Sequence, residues 1–280
     1  KKNGRNAIVF QARTVGRSCV AAKKVVPVLT EVLRSGYYPD DSNRRIINEE
    51  YHQYIFIQED RFKLLSGVAR MNKGKSHFNG DNFLISRLEC GKAIAAIADG
   101  MGSGKRAYIE SRMVIELMEN CIDAGFDEKA SIDLINSAYI AGGGTGNPVT
   151  MDMSVIDCQS GYMHCMKLGA VSTFIRRDKW VEIIQSTTLP MGVLEQVDYD
   201  CTTKKLYDGD YIVMVSDGVL DNIPCVNKEE RMAQMIHALT IREPSAMAEK
   251  LLEQSLAYND MKASDDCTVL VLGLFDTYEK

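Results

Sequence analysis

Histidine, tryptophan and proline are scarce: the 280 residues hold four His, one Trp and six Pro. The imidazoles of His52, His77, His164 and His237 are scattered along the chain, which argues against a His-rich zinc or copper centre. The eight cysteines, Cys19, Cys90, Cys121, Cys158, Cys165, Cys201, Cys225 and Cys267, form no CxxC and no tight spacing. That removes both a zinc ribbon and a disulfide framework, and they read as free thiols of a reducing cytoplasm. Long apolar runs are missing too. The longest, such as Ala93–Ala98 and Val269–Phe275, fall far short of the roughly 20 residues that span a bilayer, so this chain is expected to make no membrane contact. Nor is there an excess of positive charge. Lys and Arg number 33 against 38 Asp and Glu, a net charge of −5, which lacks the electrostatic footprint of a phosphate-backbone binder and sets nucleic acid aside as a partner. The chain opens on Lys1 with neither an initiating Met nor a signal-like apolar region, and it is expected to be a piece of a longer protein.

What is present is an ordinary globular balance, 45% hydrophobic and 25% charged, long enough for one large domain or two modest ones. Pro27–Gly36 is expected as a helix with Pro in its first turn and the apolar stripe Val28, Leu29, Val32 and Leu33. Arg44–Gln58 carries Ile46, Ile47, Tyr51, Tyr54 and Ile55 at roughly helical spacing and is expected as a second helix. From Arg61 the pattern changes to short apolar runs bounded by turn signals. Strands are expected at Phe62–Arg70, Asn82–Leu88 and Lys92–Ala98, with Glu89-Cys-Gly91 as a hairpin turn. Helices Lys105–Ala124 and Asp127–Ala141 follow, the second stopped by Gly142-Gly-Gly144. Further strands are expected at Thr150–Asp157, Tyr162–Leu168, Val171–Arg176, Lys179–Ile184, Asp198–Leu206 and Tyr211–Ser216, with Asp208 and Asp210 in a hairpin turn. Helices Lys228–Leu239 and Pro244–Tyr258 precede a last strand, Cys267–Phe275. This order predicts an α+β fold of antiparallel sheets with helices on their outer faces.

The glycine-rich stretches do not make a nucleotide site. Asp99-Gly-Met-Gly-Ser-Gly-Lys-Arg106 lacks the first Gly and the final Ser/Thr of a phosphate-binding loop, and Gly142-Gly-Gly-Thr-Gly146 lacks the Lys. The carboxylates say more. Asp99 and Asp217 each end an apolar strand and are followed by Gly, a residue that lets the backbone turn closely enough for the Gly100 carbonyl to join a site. Asp265 and Asp266 immediately precede a strand, and Asp81 begins one. Acids converging at strand ends repel one another unless cations neutralise them. Hard oxygen ligands with few imidazoles point to two or more Mg²⁺ or Mn²⁺ ions. Asp152, inside a strand pattern, either reaches that centre or faces solvent. Cys267 reads as a strand residue rather than a nucleophile, and the methionines of the helices read as core filling.

Gly80-Asp-Asn-Phe83, Ala98-Asp-Gly-Met-Gly-Ser-Gly-Lys-Arg-Ala107, Val215-Ser-Asp-Gly218 and Ser264-Asp-Asp-Cys-Thr-Val269 together resemble the metal motifs of the metal-dependent protein phosphatase family, the type 2C kind. They are most similar to its stage II sporulation branch, over about Phe62 to Phe275. The resemblance implies two antiparallel sheets packed as a sandwich between helices, with a binuclear Mn²⁺ or Mg²⁺ centre at one end. It implies that Asp99 bridges the metals, that the Gly100 carbonyl and Asp217 bind them, and that Asp265, or its neighbour Asp266, is a further ligand. Asp81 would contribute through water or at an additional metal. A phosphate-binding Arg is implied as well, for which Arg70, Arg87 and Arg106 are candidates. In that branch the substrate is a small anti-anti-sigma protein carrying a phosphoserine, whose dephosphorylation activates a sporulation sigma factor. The parent protein there is membrane-anchored and this part of it cytoplasmic. Residues 61–280 would then be the phosphatase domain and residues 1–60 regulatory or linker helices, whose apolar stripes either pack on that domain or form a homodimer. The alternatives are a metal-dependent hydrolase of another phosphoester and a non-catalytic signalling module of the same fold.

Overall fold

The computed structural model describes residues 1–2, 4–141, 147–178 and 180–277. The segment 142–146, expected as a helix stop and loop, lies outside the described residues, as does Lys179.

The N-terminal part is mostly strand. It runs β1 (Ala7–Ala12), β2 (Val20–Ala21), a 3₁₀ turn at Ala22–Val25, α1 (Val26–Leu33), β3 (Tyr37–Pro39), β4 (Ile46–Ile47) and β5 (His52–Gln58). The expected helix over Arg44–Gln58 is therefore replaced by β4 and β5. Its apolar residues fit a helical period as far as Ile55, but Tyr54 and Phe56 are buried two residues apart on one face. β5 also takes antiparallel partners on both edges, β1 and β3. A run of aromatic and β-branched residues paired on two sides gains more as a strand than as an isolated helix. Phe10 stacks on Phe56 at 5.6 Å, and Ala22, Tyr37, Ile47 and Tyr54 complete a small separate core. The expected helix at Pro27 is present as α1, but its stripe is split. Leu29 packs on that core, whereas Val28 and Val32 are 57% and 72% exposed. The left-handed residue that ends α1 is Arg34, at φ 50°, not Gly36.

The remainder is β6 (Phe62–Met71), β7 (Asp81–Arg87), β8 (Lys92–Gly100), α2 (Lys105–Asp123), α3 (Glu128–Ala141), β9 (Val149–Asp157), β10 (Tyr162–Leu168), β11 (Thr173–Arg177), β12 (Trp180–Ile184), β13 (Asp200–Lys205), β14 (Tyr211–Val215), α4 (Asp217–Asp221), α5 (Lys228–Ala238), α6 (Pro244–Leu256) and β15 (Cys267–Asp276). They form two five-stranded sheets, β13-β10-β9-β8-β7 and β12-β11-β14-β15-β6, antiparallel throughout. The sandwich expected from the sequence is thus the observed architecture. Alternation along the strands divides the core into layers. Ala95, Ile97, Ile156, Ile212, Met214, Leu270 and Leu272 fill the space between the sheets. Ala96, Ala98, Met151 and Met153 meet α2 and α3 outside the first sheet, while Val213, Val215, Val269 and Val271 meet α4, α5 and α6 outside the second. The alanines of β8 matter because they leave room for helix on one face and sheet on the other. Asp210, expected merely as a turn residue, is buried and held by Arg177 at 2.7 Å.

The N-terminal part is clipped to the sandwich by Arg5. Its guanidinium donates to the Glu89 carbonyl at 2.8 Å and to Asp60 at 3.1 Å. Glu89 opens the β7–β8 turn, where Gly91 takes the left-handed φ of 85° that the hairpin requires.

Candidate metal centre

Four strand ends meet at one end of the sandwich. Asp81, the first residue of β7, lies directly opposite Asp99, the penultimate residue of β8. From the other sheet, Asp217 follows β14 and opens the short helix α4, which the sequence reading missed. Asp265 and Asp266 lead into β15, the neighbour of β14. The two strand ends are sewn together at this point: Ser216 N–H donates to the Thr268 carbonyl at 3.0 Å, and Thr268 N–H donates to Ser216 Oγ at 2.9 Å.

The two Asp-Gly pairs have a packing reason. A Cβ on Gly218 would fall 2.1 Å from the Asp266 carbonyl oxygen, and one on Gly100 would fall 2.4 Å from the Ala107 carbonyl oxygen at the start of α2. Neither glycine has a positive φ. Close backbone approach, rather than an unusual turn, demands Gly here. It brings Asp217 against the Asp265–Asp266 segment and Asp99 against α2.

The acids differ in environment. Asp81 is 1% exposed, and neither carboxylate oxygen has a hydrogen-bond partner among the described residues. Burial pushes it up to about 7, the neighbouring Thr268 and Ser216 hydroxyls offset part of that, and the charges of Asp217 and Asp266 add to it. Burial also raises Asp99, helped by the charges of Asp81, Asp217 and Asp265 and by the Asp217 carboxyl within hydrogen-bonding reach. Asp217, the most open of the group, is raised by enclosure and by Asp221 and Asp265. Asp266 is engaged in structure: Oδ1 accepts from Lys73 N–H at 2.8 Å and Oδ2 from Gly80 N–H at 2.7 Å. Asp265 is half-buried, with the Lys73 ammonium at 3.4 Å.

This end of the molecule is therefore a place where negative charge is held without enough protein cation to balance it. A family model described as stage II sporulation protein E (SpoIIE) matches residues 90–275. The chain belongs to that family. It is 30% identical over 253 residues to stage II sporulation protein E of Bacillus subtilis (strain 168), a match covering 90% of this chain. The chain spans 31% of the length of that relative. The solved structure of the PP2C phosphatase domain and a fragment of the regulatory domain of SpoIIE from Bacillus subtilis superposes with a TM-score of 0.81 at 27% identity. It covers 99% of this chain and 81% of that one. RsbX, solved in complex with magnesium, shares the fold with a TM-score of 0.59 at 20% identity, over 75% of this chain and 95% of that one. The fold and the matched region are those of the PP2C phosphatase domain solved for that relative.

The residues of this family member fit a divalent cation. A buried carboxylate with both oxygens unpartnered is costly unless a positive charge meets it. Among the described residues no three His, Cys, Asp or Glu side chains close on a single metal-sized point, so ions here would draw on one or two carboxylates each, with carbonyl oxygen and water completing the set. That is the habit of Mg²⁺ rather than of a structural zinc.

Of the three candidate arginines, Arg70 is the one at the site. It lies on β6 opposite Thr268, donates to the Asp81 carbonyl, and stands over the Phe83 ring at 5.5 Å. Arg87 is at the far end of β7, opposite Ala93, and Arg106 pairs with Glu110 at 3.2 Å on α2. Asp152 does not face solvent: it is buried against Lys167 and lines a small cavity with Asp99 and Asp217. Cys267 is buried, and its thiol is pushed up to about 12, chiefly by burial, which suits a strand residue and not a nucleophile. The sequence reading missed Ser216, Thr268 and Asn79. The first two flank the acids inside Val215-Ser-Asp-Gly218 and Asp265-Asp-Cys-Thr268. Asn79 accepts from Asp81 N–H at 3.0 Å and had no signal beyond adjacency.

Proposed function

We propose that this chain is a metal-dependent protein serine/threonine phosphatase that hydrolyses a phosphoserine on a small regulatory protein of the anti-anti-sigma type, and that it thereby controls a sigma factor during sporulation. The observation that carries this reading is the buried, unpartnered carboxylate of Asp81 opposite Asp99, with Asp217 at the edge of the facing sheet. Asp99, Asp217, the Gly100 carbonyl and Asp265 are proposed to hold two ions, Mn²⁺ or Mg²⁺, and Asp81 to act through water or at a further ion. Asp266, with both oxygens committed to backbone N–H groups, is assigned to holding the loop.

Bound divalent cations supply an acidified water and neutralise the charge of a phosphate monoester. The protein's part is positional. Arg70 fixes the Asp81 backbone, and the Ser216 and Thr268 hydroxyls sit beside the Asp81 carboxylate. The paired strand ends hold Asp217 beside Asp265 and Asp266. Hydrolysis is assigned to direct attack of water on phosphorus, which needs no covalent enzyme intermediate. Turnover of a phosphoserine protein that disappears in EDTA and returns with Mn²⁺ tests the reading; full turnover in metal-stripped protein would overturn it.

The division into residues 1–60 as a regulatory part and 61–280 as the catalytic domain belongs to the same proposal. It is supported by the separate small core of the N-terminal part and by the exposed Val28, Val32 and Leu33 on α1. Among the described residues α1 is the one α-helix of that part, so the homodimer is assigned to that helix. Val32→Glu should convert a dimer to a monomer in sedimentation; an unchanged sedimentation coefficient removes α1 from the interface. No helix among the described residues is long and apolar enough to cross a membrane, and the membrane anchor is assigned to the remainder of the longer protein.

A further inference from the structure

Lys167 is an anomaly of the inner layer. A lysine side chain 1% exposed sits between two sheets, its ammonium 2.6 Å from Asp152, itself 2% exposed. The two face each other across the β9–β10 ladder. The ammonium also donates to the Val171 carbonyl at 2.6 Å. The same Asp152 oxygen, Oδ2, also accepts from Thr173 Oγ, and the Cys165 thiol lies 3.8 Å from Oδ1. Replacing such a pair with apolar residues of similar volume commonly leaves a protein as stable or more so. Stability alone therefore does not account for it.

Its location does. Asp152 lies opposite Ile97 on β8, two residues before Asp99 and on the same face. Thr173 belongs to the other sheet, opposite Met214 on β14, and β14 delivers Asp217 three residues after Met214. The Thr173–Asp152 bond thus runs from one sheet to the other one pleat behind the acids. Asp99, Asp152, Val171, Ser216 and Asp217 line one small cavity of about 60 Å³, room for little more than a few waters. Apolar packing between the sheets has no direction, whereas a hydrogen-bonded ion pair has one geometry.

From this placement we infer that Asp152, Lys167 and Thr173 form a cross-sheet strut that sets the separation of Asp99 from Asp217, and that they are positioning residues for the metal centre. The inference rests on the metal-dependent reading of that centre. Asp152 holds the first sheet, Thr173 joins the second sheet to it, and Lys167 compensates the buried charge while tying down the Gly169–Val171 wall of the cavity.

The test compares the full chain with the double variant Asp152→Leu/Lys167→Met and with Thr173→Val, which cuts only the cross-sheet bond. Denaturant unfolding gives stability, and calorimetry with Mn²⁺ alone gives affinity; phosphatase turnover is measured separately. A folded double variant at least as stable as the parent should bind Mn²⁺ about 10–100-fold more weakly, and Thr173→Val should weaken it in the same direction. Parent-like Mn²⁺ affinity in Thr173→Val, or in a folded double variant, overturns the strut. If the parent binds Mn²⁺ but turns over no phosphoprotein, the phosphatase reading fails while the affinity comparison still decides the strut. A parent that binds no Mn²⁺ overturns both.

Discussion

Asp81 and Asp99 stand directly opposite each other across the β7–β8 ladder, one wholly buried with no hydrogen-bond partner for its carboxylate among the described residues, the other pressed against Asp217 from the facing sheet. Like charges at opposed ladder positions destabilise a sheet, so this pair is tolerable only with a proton or a cation between its members.

The first prediction follows from linkage. A carboxylate whose folded-state pKa is raised binds more protons folded than unfolded. Its contribution to stability is fully present below the ordinary carboxylate range and is lost as pH rises through the raised value. For Asp81 that window runs from about 4 to about 7. Metal-free protein should lose thermal stability across it, and saturating Mn²⁺ should flatten the dependence and release protons on binding. Melting curves over this pH range, with and without Mn²⁺, check it; parallel curves would sink the argument.

Asp99→Asn and Asp217→Asn should each cut turnover by about 100-fold or more, since each removes the charge of a proposed ligand. Both should leave the metal-free protein as stable as the parent or more stable, because they relieve crowding. The paired measurement is kcat and the melting temperature in EDTA.

Asp265→Asn and Asp266→Asn should separate cleanly. The first is expected to lower activity with little effect on folding. The second loses charge-assisted acceptance from Lys73 and Gly80 N–H groups and should cost about 1.5–3 kcal/mol of stability, read from denaturant unfolding. The reverse pattern would exchange the roles assigned to the two acids.

Gly218→Ala places a methyl 2.1 Å from the Asp266 carbonyl oxygen, with backbone on both sides. It should destabilise the protein by roughly 1–3 kcal/mol, as overpacking does, and lower Mn²⁺ affinity by shifting Asp217 from Asp265. A crystal structure of the variant with an unmoved Asp265–Asp266 segment would refute it.

The catalytic half was legible because its strands are short, strongly apolar and closed by turn residues, and because the acids sit where those runs begin or end. β7, β8, α2 and β10 match their expected bounds to within two residues at either end. The N-terminal part was misread for a physical reason. Ile46, Ile47, Tyr51, Tyr54 and Ile55 satisfy a helical period over about two turns and a half, and only the pairing of β5 with β1 and β3, a long-range event, decides for strand. Asp152 illustrates the other limit. Nothing local to Thr150-Met-Asp-Met-Ser154 reveals that Lys167, on the next strand, and Thr173, on the other sheet, both donate to its Oδ2.

The clustering of Asp81, Asp99, Asp217 and Asp265 from strands of both sheets also has a kinetic meaning. Closing the chain between Asp99 and Asp217 spans more than a hundred residues, and no hairpin or helix of the protein contains the whole set. High-affinity ion capture therefore cannot nucleate folding or be retained by a fragment. On the proposed reading of the site, binding reports that both sheets have docked, so the rate at which Mn²⁺ affinity returns during refolding should time the final assembly of the sandwich.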